Sequence, residues 1–452
     1  MVNVYPPFSL SFSFSLSFSY EVCFMLSNRN IAIGTFLLLF AFMQVLWDVP
    51  SPLPTNQLFM ILGMVLVLSR SGADDRVLNW SCILFLGAIV LSIVSNQIPP
   101  FFKPWQRLLQ FVFLFIASSP LVSGVYVNRV RRHMFYGVMW ACGVVAVMSF
   151  VAYLTGQGQY LSGIIQGYMG ITAHPNFLGM FVMVSMVWFS SLYFRSTKNW
   201  ERITWGGCWA ACLIVILLSA SRSSTACGLM GTLAVVFFRF RKNGGKMFTA
   251  VAILVLAFII SLPYLMPYME TMMQKGVGKD TDETDALVAA TRGAIWELRL
   301  MELDESPWVG VGAFSCDINL PQAEIFYTAS TGAIEQGSSY LGLLSQLGWL
   351  GFIGFMSIFI PVIIKTFRYA WQENTPYAQL IMSLLLPIIV HMAVEGYAIT
   401  AGAVQCVILW FVIGAGYQCD KVADYPVLWE NEDPISPEDY VDYVQNSEEY
   451  EG

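Results

Sequence analysis

Arg222, in "LLSASRSSTACG", stands between two strongly apolar stretches. A fixed charge there is costly, so it marks either a functional position or a snorkelling anchor at an interface. The planar guanidinium suits a phosphate, and Ser221, Ser223 and Ser224 add hydroxyl donors beside it. Arg292 and Arg299 lie seven residues apart in "ETDALVAATRGAIWELRLMELDE". There Leu287, Ala290, Ala294, Leu298 and Met301 recur at helical spacing, which predicts an amphipathic helix with both arginines on one face. Glu335 precedes Ser338 and Ser339 at the head of the next apolar run, "TGAIEQGSSYLGLLSQLGWLGFIG". A carboxylate at that mouth can accept a proton from an attacking hydroxyl or hold an acceptor. His391 and Glu395 are four apart inside another apolar run. Either they pair with each other or they serve as an acid/base or substrate-binding couple. His174, in "TAHPNFLG", precedes a proline suited to a first helical turn and Asn176, placed to hydrogen-bond back across the loop. His133, in a basic cluster, is expected at the surface.

The elements that must position these groups are membrane helices. Of 452 residues, 56% are hydrophobic and 12% charged, about half the charged share of an ordinary soluble domain. Mean hydropathy is +0.62. The predicted fold is all-α, a polytopic membrane protein with about 12 transmembrane helices and one large periplasmic loop. The apolar runs lie near 31–47, 56–69, 80–97, 108–127, 134–154, 175–194, 203–219, 224–238, 247–266, 339–364, 376–397 and 399–417. With the N-terminus inside, 16 of 23 Lys and Arg fall on the cytoplasmic side, so both termini are expected there.

Three regions divide the chain: an N-terminal extension (1–30), a membrane domain (31–417) whose periplasmic loop is 267–338, and an acidic cytoplasmic tail (418–452). The tail carries 11 acids and one Lys, against −7 for the whole chain, and reads as a disordered, solvated extension. The first 24 residues lack the basic n-region of a secretory signal, and Met25 offers a more natural beginning. Of nine cysteines only Cys316 falls in the long loop, so no disulfide framework is expected. No Cys/His spacing reads as a zinc site, and the acidic run Asp280, Asp282, Glu283 and Asp285 reads as solvated loop before a metal site. No phosphate-binding glycine loop and no fixed-period repeat is present.

In order along the chain, "HPNFLG", "SASRSS", "TRGAIW", "PWVGVGAFS", "GSSYLGLLSQLGWLG" and "HMAVEGYAITAG", between about 170 and 410, resemble the O-antigen ligase and Wzy-type O-unit polymerase family of bacterial envelope glycosyltransferases. The resemblance implies metal-independent, cofactor-free transfer at the periplasmic face of the inner membrane. The saccharide would pass from undecaprenyl pyrophosphate to a sugar hydroxyl, with inversion at the anomeric centre. Arg222 and Arg292, with Arg299 as a third, match the family's residues for the donor pyrophosphate. His174, Ser338, Ser339, His391 and Glu395 join them as substrate-binding candidates. Many ligases carry a His-Asn pair before the helix that follows the large loop; here no His is present, and Glu335 is the nearest ionisable group. Glu335 is therefore expected as the base or as an acceptor-binding carboxylate. The polar-Gly-Ser-Ser start of that helix resembles the polymerising branch, so polymerase is favoured over ligase. Expected partners are the lipid-linked oligosaccharide, a glycan acceptor, the bilayer, a flippase and a chain-length regulator, with no nucleic acid.

A secondary transporter or a flippase for lipid-linked saccharides would share the helix count and the sparse intramembrane charges. Such proteins often show paired broken helices in two repeated halves; the sequence displays none, and one long outer loop favours an enzyme.

Overall fold

The computed structural model describes residues 55–68, 77–95, 103–161, 167–172, 174–245, 249, 292–320, 327–328, 333–400 and 403–419. Among them the helices are α1 (Thr55–Leu68), α2 (Trp80–Ser95), α3 (Pro104–Ser118), α4 (Val125–Leu154), α5 (Pro175–Arg195), α6 (Asn199–Leu218), α7 (Arg222–Phe240), α8 (Arg292–Glu305), α9 (Ser339–Arg368), α10 (Pro376–Val394) and α11 (Val404–Tyr417). Three two-stranded ribbons join them: β1 (Val77–Leu78) with β2 (Val122–Ser123), β3 (Gln159–Leu161) with β4 (Gly167–Gly170), and β5 (Tyr327–Thr328) with β6 (Ala333–Ile334), all antiparallel. Ten of the twelve predicted apolar runs fall on these helices. The runs at 31–47 and 247–266, the N-terminal extension, the acidic run at 280–285 and residues 420–452 of the tail lie outside the described residues.

Six of the described helices are long and apolar enough to cross a membrane: Val130–Leu154 within α4, then α5, α6, α7, α9 extended through Glu373, and α10. The protein is a mostly helical membrane protein. α5 sits at its centre, buried almost continuously from Leu178 to Ser191, and α11 is buried from Val404 to Gly416. A helix apolar all round belongs inside a bundle, because it has no face to give to water. Phe85, Phe111, Phe115 and Trp410 lock α2, α3 and α11 together, with the Phe115 and Trp410 ring centroids 4.7 Å apart, edge to face.

Three sequence expectations change near α4. The apolar run at 108–127 stops being helical at Ser118, and Val122–Ser123 forms a ribbon instead. Arg131, expected in a short basic loop, is buried inside α4, and its guanidinium donates to the carbonyls of Ala117 (3.3 Å) and Ile116 (3.2 Å). These are orphan acceptors at the C-terminus of α3, where a cation is favourable. His133, expected at the surface, is buried as well.

The largest departure lies in α9. The sequence predicts one continuous span, yet Gly348 (φ 63°, ψ −168°) interrupts it. A helix broken inside protein frees carbonyls before the break and N–H groups after it. Both sets are taken by the segment after α8. Val311 N donates to Ser345 O (2.9 Å) and Gly312 N to Gln346 O (3.3 Å), while Trp349 N and Leu350 N donate to Pro307 O (2.8 Å) and Trp308 O (3.1 Å). Ser92 Oγ from α2 also donates to Gln346 O, at 2.6 Å. The two backbones cross on glycines: a Cβ on Gly348 would stand 2.3 Å from Trp308 C, and one on Gly310 2.3 Å from Gln346 C.

Gly348→Ala is therefore expected to lower the melting temperature of the detergent-solubilised protein sharply, since its dihedrals are open essentially to glycine and strain alone costs about 1–3 kcal/mol. Gly87→Ala, in the middle of α2 with no atom within 4 Å of the new Cβ, should be neutral or stabilise the protein by up to ~1 kcal/mol, leaving the melting temperature unchanged or higher.

Candidate active site

The sequence-predicted residues gather at one end of the bundle, where α5, α7 and α9 begin and α10 ends. Arg222 is the first residue of α7 and is exposed. Ser221 caps that helix by position, and Ala220 before it takes a left-handed turn (φ 52°) that aims the chain out of the bundle and back. α5 approaches closely because of Gly179, where a Cβ would meet Ser224 Oγ at 2.5 Å and Ser221 Oγ at 3.1 Å. His174 caps α5 as its position before Pro175 predicts; its Nδ1 accepts from the backbone N–H of Asn176 (3.1 Å).

Beneath Arg222 runs a buried polar chain that joins α7, α10 and the loop after α10. Ser221 Oγ donates to Ser224 Oγ (2.9 Å), Ser224 Oγ lies 3.1 Å from His391 Nε2, and His391 Nδ1 lies 3.3 Å from the Tyr397 hydroxyl. Burial holds the Tyr397 hydroxyl well above its ordinary range, so it stays a neutral phenol. α10 ends at Val394, and Glu395 is its extended C-cap, whose backbone N–H still donates to His391 O (2.9 Å). Serines 338 and 339 fasten that loop. Ser339 N and Oγ donate to Glu395 O at 3.0 and 2.7 Å, and Ser339 Oγ accepts from Tyr397 N at 3.0 Å. Ser338 caps α9, accepting from Leu341 N, and donates to Met392 O, both at 3.4 Å. Both hydroxyls are buried and occupied with backbone, so they build the wall rather than face a ligand.

α8 carries the remaining candidates. Arg292 opens the helix; Ile295 and Leu298 are buried on Ala294 and Leu320, while Met301, expected on the apolar face, is exposed. Arg299 does not share an open face with Arg292: it is fully buried, ion-paired with Glu302, and donates to the Glu335 carbonyl (2.9 Å). Glu302 in turn accepts from Asp317 N (3.0 Å). Trp296 Nε1 donates to Gly337 O (3.1 Å), and Gly337 (φ 65°) passes where a Cβ would strike Ile295. The outcome is that the main chain of 335–337 is clamped on α8 while the Glu335 side chain is left exposed at the rim. Nearby, burial pushes the Cys316 thiol up to about 12, so it remains protonated and inert.

Residues 207–356 match the family model described as O-antigen ligase. This stretch is similar to the O-antigen ligase family. It contains Arg222, Arg292, Arg299, Glu335, Ser338 and Ser339, whereas His174, His391 and Glu395 lie outside it. No curated protein matches the chain. The match supports glycosyl transfer of the ligase and polymerase type, on lipid-linked polysaccharide at a membrane.

Three contributors were missed in the sequence. Tyr397 has no signal, since its role depends on where α10 stops. Glu302 was visible as an acid three residues after Arg299, the spacing of a helical ion pair. Gln346 was visible as a lone amide in an apolar run; it is buried, and its Oε1 accepts from Phe314 N (3.1 Å).

Arg299→Met should destabilise the protein by about 3–5 kcal/mol, because it leaves Glu302 buried without its cation. Glu335→Gln, at an exposed side chain, should change the melting temperature little, within about 0.5 kcal/mol. Thermal unfolding of the two purified variants in one detergent checks both.

Proposed function

We propose that the protein polymerises or ligates envelope polysaccharide at the outer face of the bacterial inner membrane. A saccharide linked to undecaprenyl pyrophosphate is transferred to a sugar hydroxyl, and polymerisation is favoured over ligation. The observation that carries this reading is the O-antigen ligase match, which runs through Arg222, the α8 arginines and the start of α9. In the proposed arrangement twelve spans place both termini and the acidic tail in the cytoplasm, with 267–338 outside, in agreement with the basic ends of α5, α7 and α9.

The chemistry follows from charge. As the anomeric bond breaks, the leaving pyrophosphate gains negative charge, and positioned guanidinium groups stabilise it more in the transition state than in the ground state. Arg222 is assigned this task, with Arg292 as its partner. No bound metal is needed in this reading, because the two guanidinium groups carry the positive charge. Arg299 is reassigned from the donor site to positioning: it holds the carbonyl of Glu335, and through it the rim on which that carboxylate stands. Glu335 receives the proton of the acceptor hydroxyl as it attacks, or orients that hydroxyl. Ser338, Ser339, His391 and Glu395 shape the wall, and His174 caps the neighbouring helix.

Glycan analysis of a deletion strain complemented with single variants tests this. Arg222→Ala and Arg292→Ala should each cut polymer formation by roughly a hundredfold, and Glu335→Gln should do so while expressing at the wild-type level. A polymerase leaves single repeat units; a ligase leaves full-length chains on the lipid carrier. Wild-type glycan in all three variants would rule the enzyme out.

A further inference from the structure

At the end of the bundle opposite the candidate active site, α5, α7 and α10 line a partly open cavity of about 120 Å³. That is well above the 10–15 Å³ or so needed to admit one water. Arg195 from the last turn of α5 and Arg239 from the last turn of α7 both line it, together with Asn374, Gln379 and Ser383. No Asp or Glu lines it among the described residues. The two guanidinium-bearing residues thus border one shared space. An arginine at a helix C-terminus complements the helix dipole, but that requirement is met without two of them facing one space. Like charges gathered around a cavity are relieved by an anion inside it.

The surroundings fix the kind of anion. Asn374, in a left-handed turn (φ 57°), accepts from Arg241 Nη2 (3.1 Å) and from Gln379 Nε2 (2.9 Å), so the rim is built rather than frayed. Beside it Phe237, Trp371 and Phe367 form an exposed stacked row, with centroids 5.9 and 5.8 Å apart, and Arg241 lies over Trp371 at 4.9 Å. Exposed aromatic rings next to arginines are the pattern of a membrane interface, where headgroups meet protein. Basic pockets between membrane helices at such a level take lipid phosphates.

We propose that this cavity binds a phosphate-type anion, supplied by the headgroup of an anionic phospholipid in the leaflet opposite the active site. The site is independent of the glycosyl-transfer reading. The test titrates the detergent-solubilised full chain with short-chain phosphatidylglycerol, short-chain phosphatidylcholine or inorganic phosphate and follows the melting temperature. Phosphatidylglycerol should stabilise the wild type and phosphatidylcholine should not. Arg239→Gln, at an exposed side chain, should weaken the response roughly tenfold, and Gln379→Glu, which places a carboxylate in the cavity, should abolish it. An equal response to inorganic phosphate with the same dependence on both variants would keep the site and assign it to a free anion. Equal responses in wild type and both variants, or none to either phosphate probe, would overturn the proposal.

Discussion

The break in α9 is the constraint on which the rest of the arrangement depends. A helix inside a membrane protein cannot leave its backbone polar groups bare, since no water is at hand to satisfy them. Gly348 opens the helix, and Pro307–Gly312 closes the opening with four main-chain hydrogen bonds. Only glycines at positions 310 and 348 let the two chains cross. Because that segment follows α8 directly, the stopper fixes where α8 lies against α9. α8 in turn clamps Glu335 and Gly337 through Arg299 and Trp296. The position of the rim is thus set by hydrogen bonds made well below it.

A second set of contacts ties the rim to the other helices. Ser339 holds the loop after α10, and that loop supplies Tyr397 to His391, which meets Ser224 two residues beyond Arg222. Every group in this chain is short, buried and bonded on both sides, so it resists independent movement. Arg222 and Glu335, by contrast, are exposed at the ends of rigid elements. Under the proposed function, this is the division a transfer site needs: a fixed frame carrying a few exposed groups.

Much of the frame was legible beforehand. Ten apolar runs became helices because length and hydropathy state directly how much chain must leave water. Pro175 and Ser338 marked helix starts because their chemistry serves the unsatisfied N–H groups there. Arg222 lies at the junction of two helices, where the flanking apolar runs place it. The sequence misled where one residue type has two uses. Arg292 and Arg299 look alike at a spacing of seven, yet Arg299 is consumed by Glu302.

Sequence alone therefore determined that this is a helical membrane protein and where most of its helices lie, since these follow from local hydropathy and capping chemistry. Tertiary structure alone decided which of its polar groups are wall and which are free. A guanidinium or hydroxyl bonds whatever lies within about 3 Å, and for Arg299, Ser339, His391 and the backbone around Gly348 those partners come from segments remote in the chain.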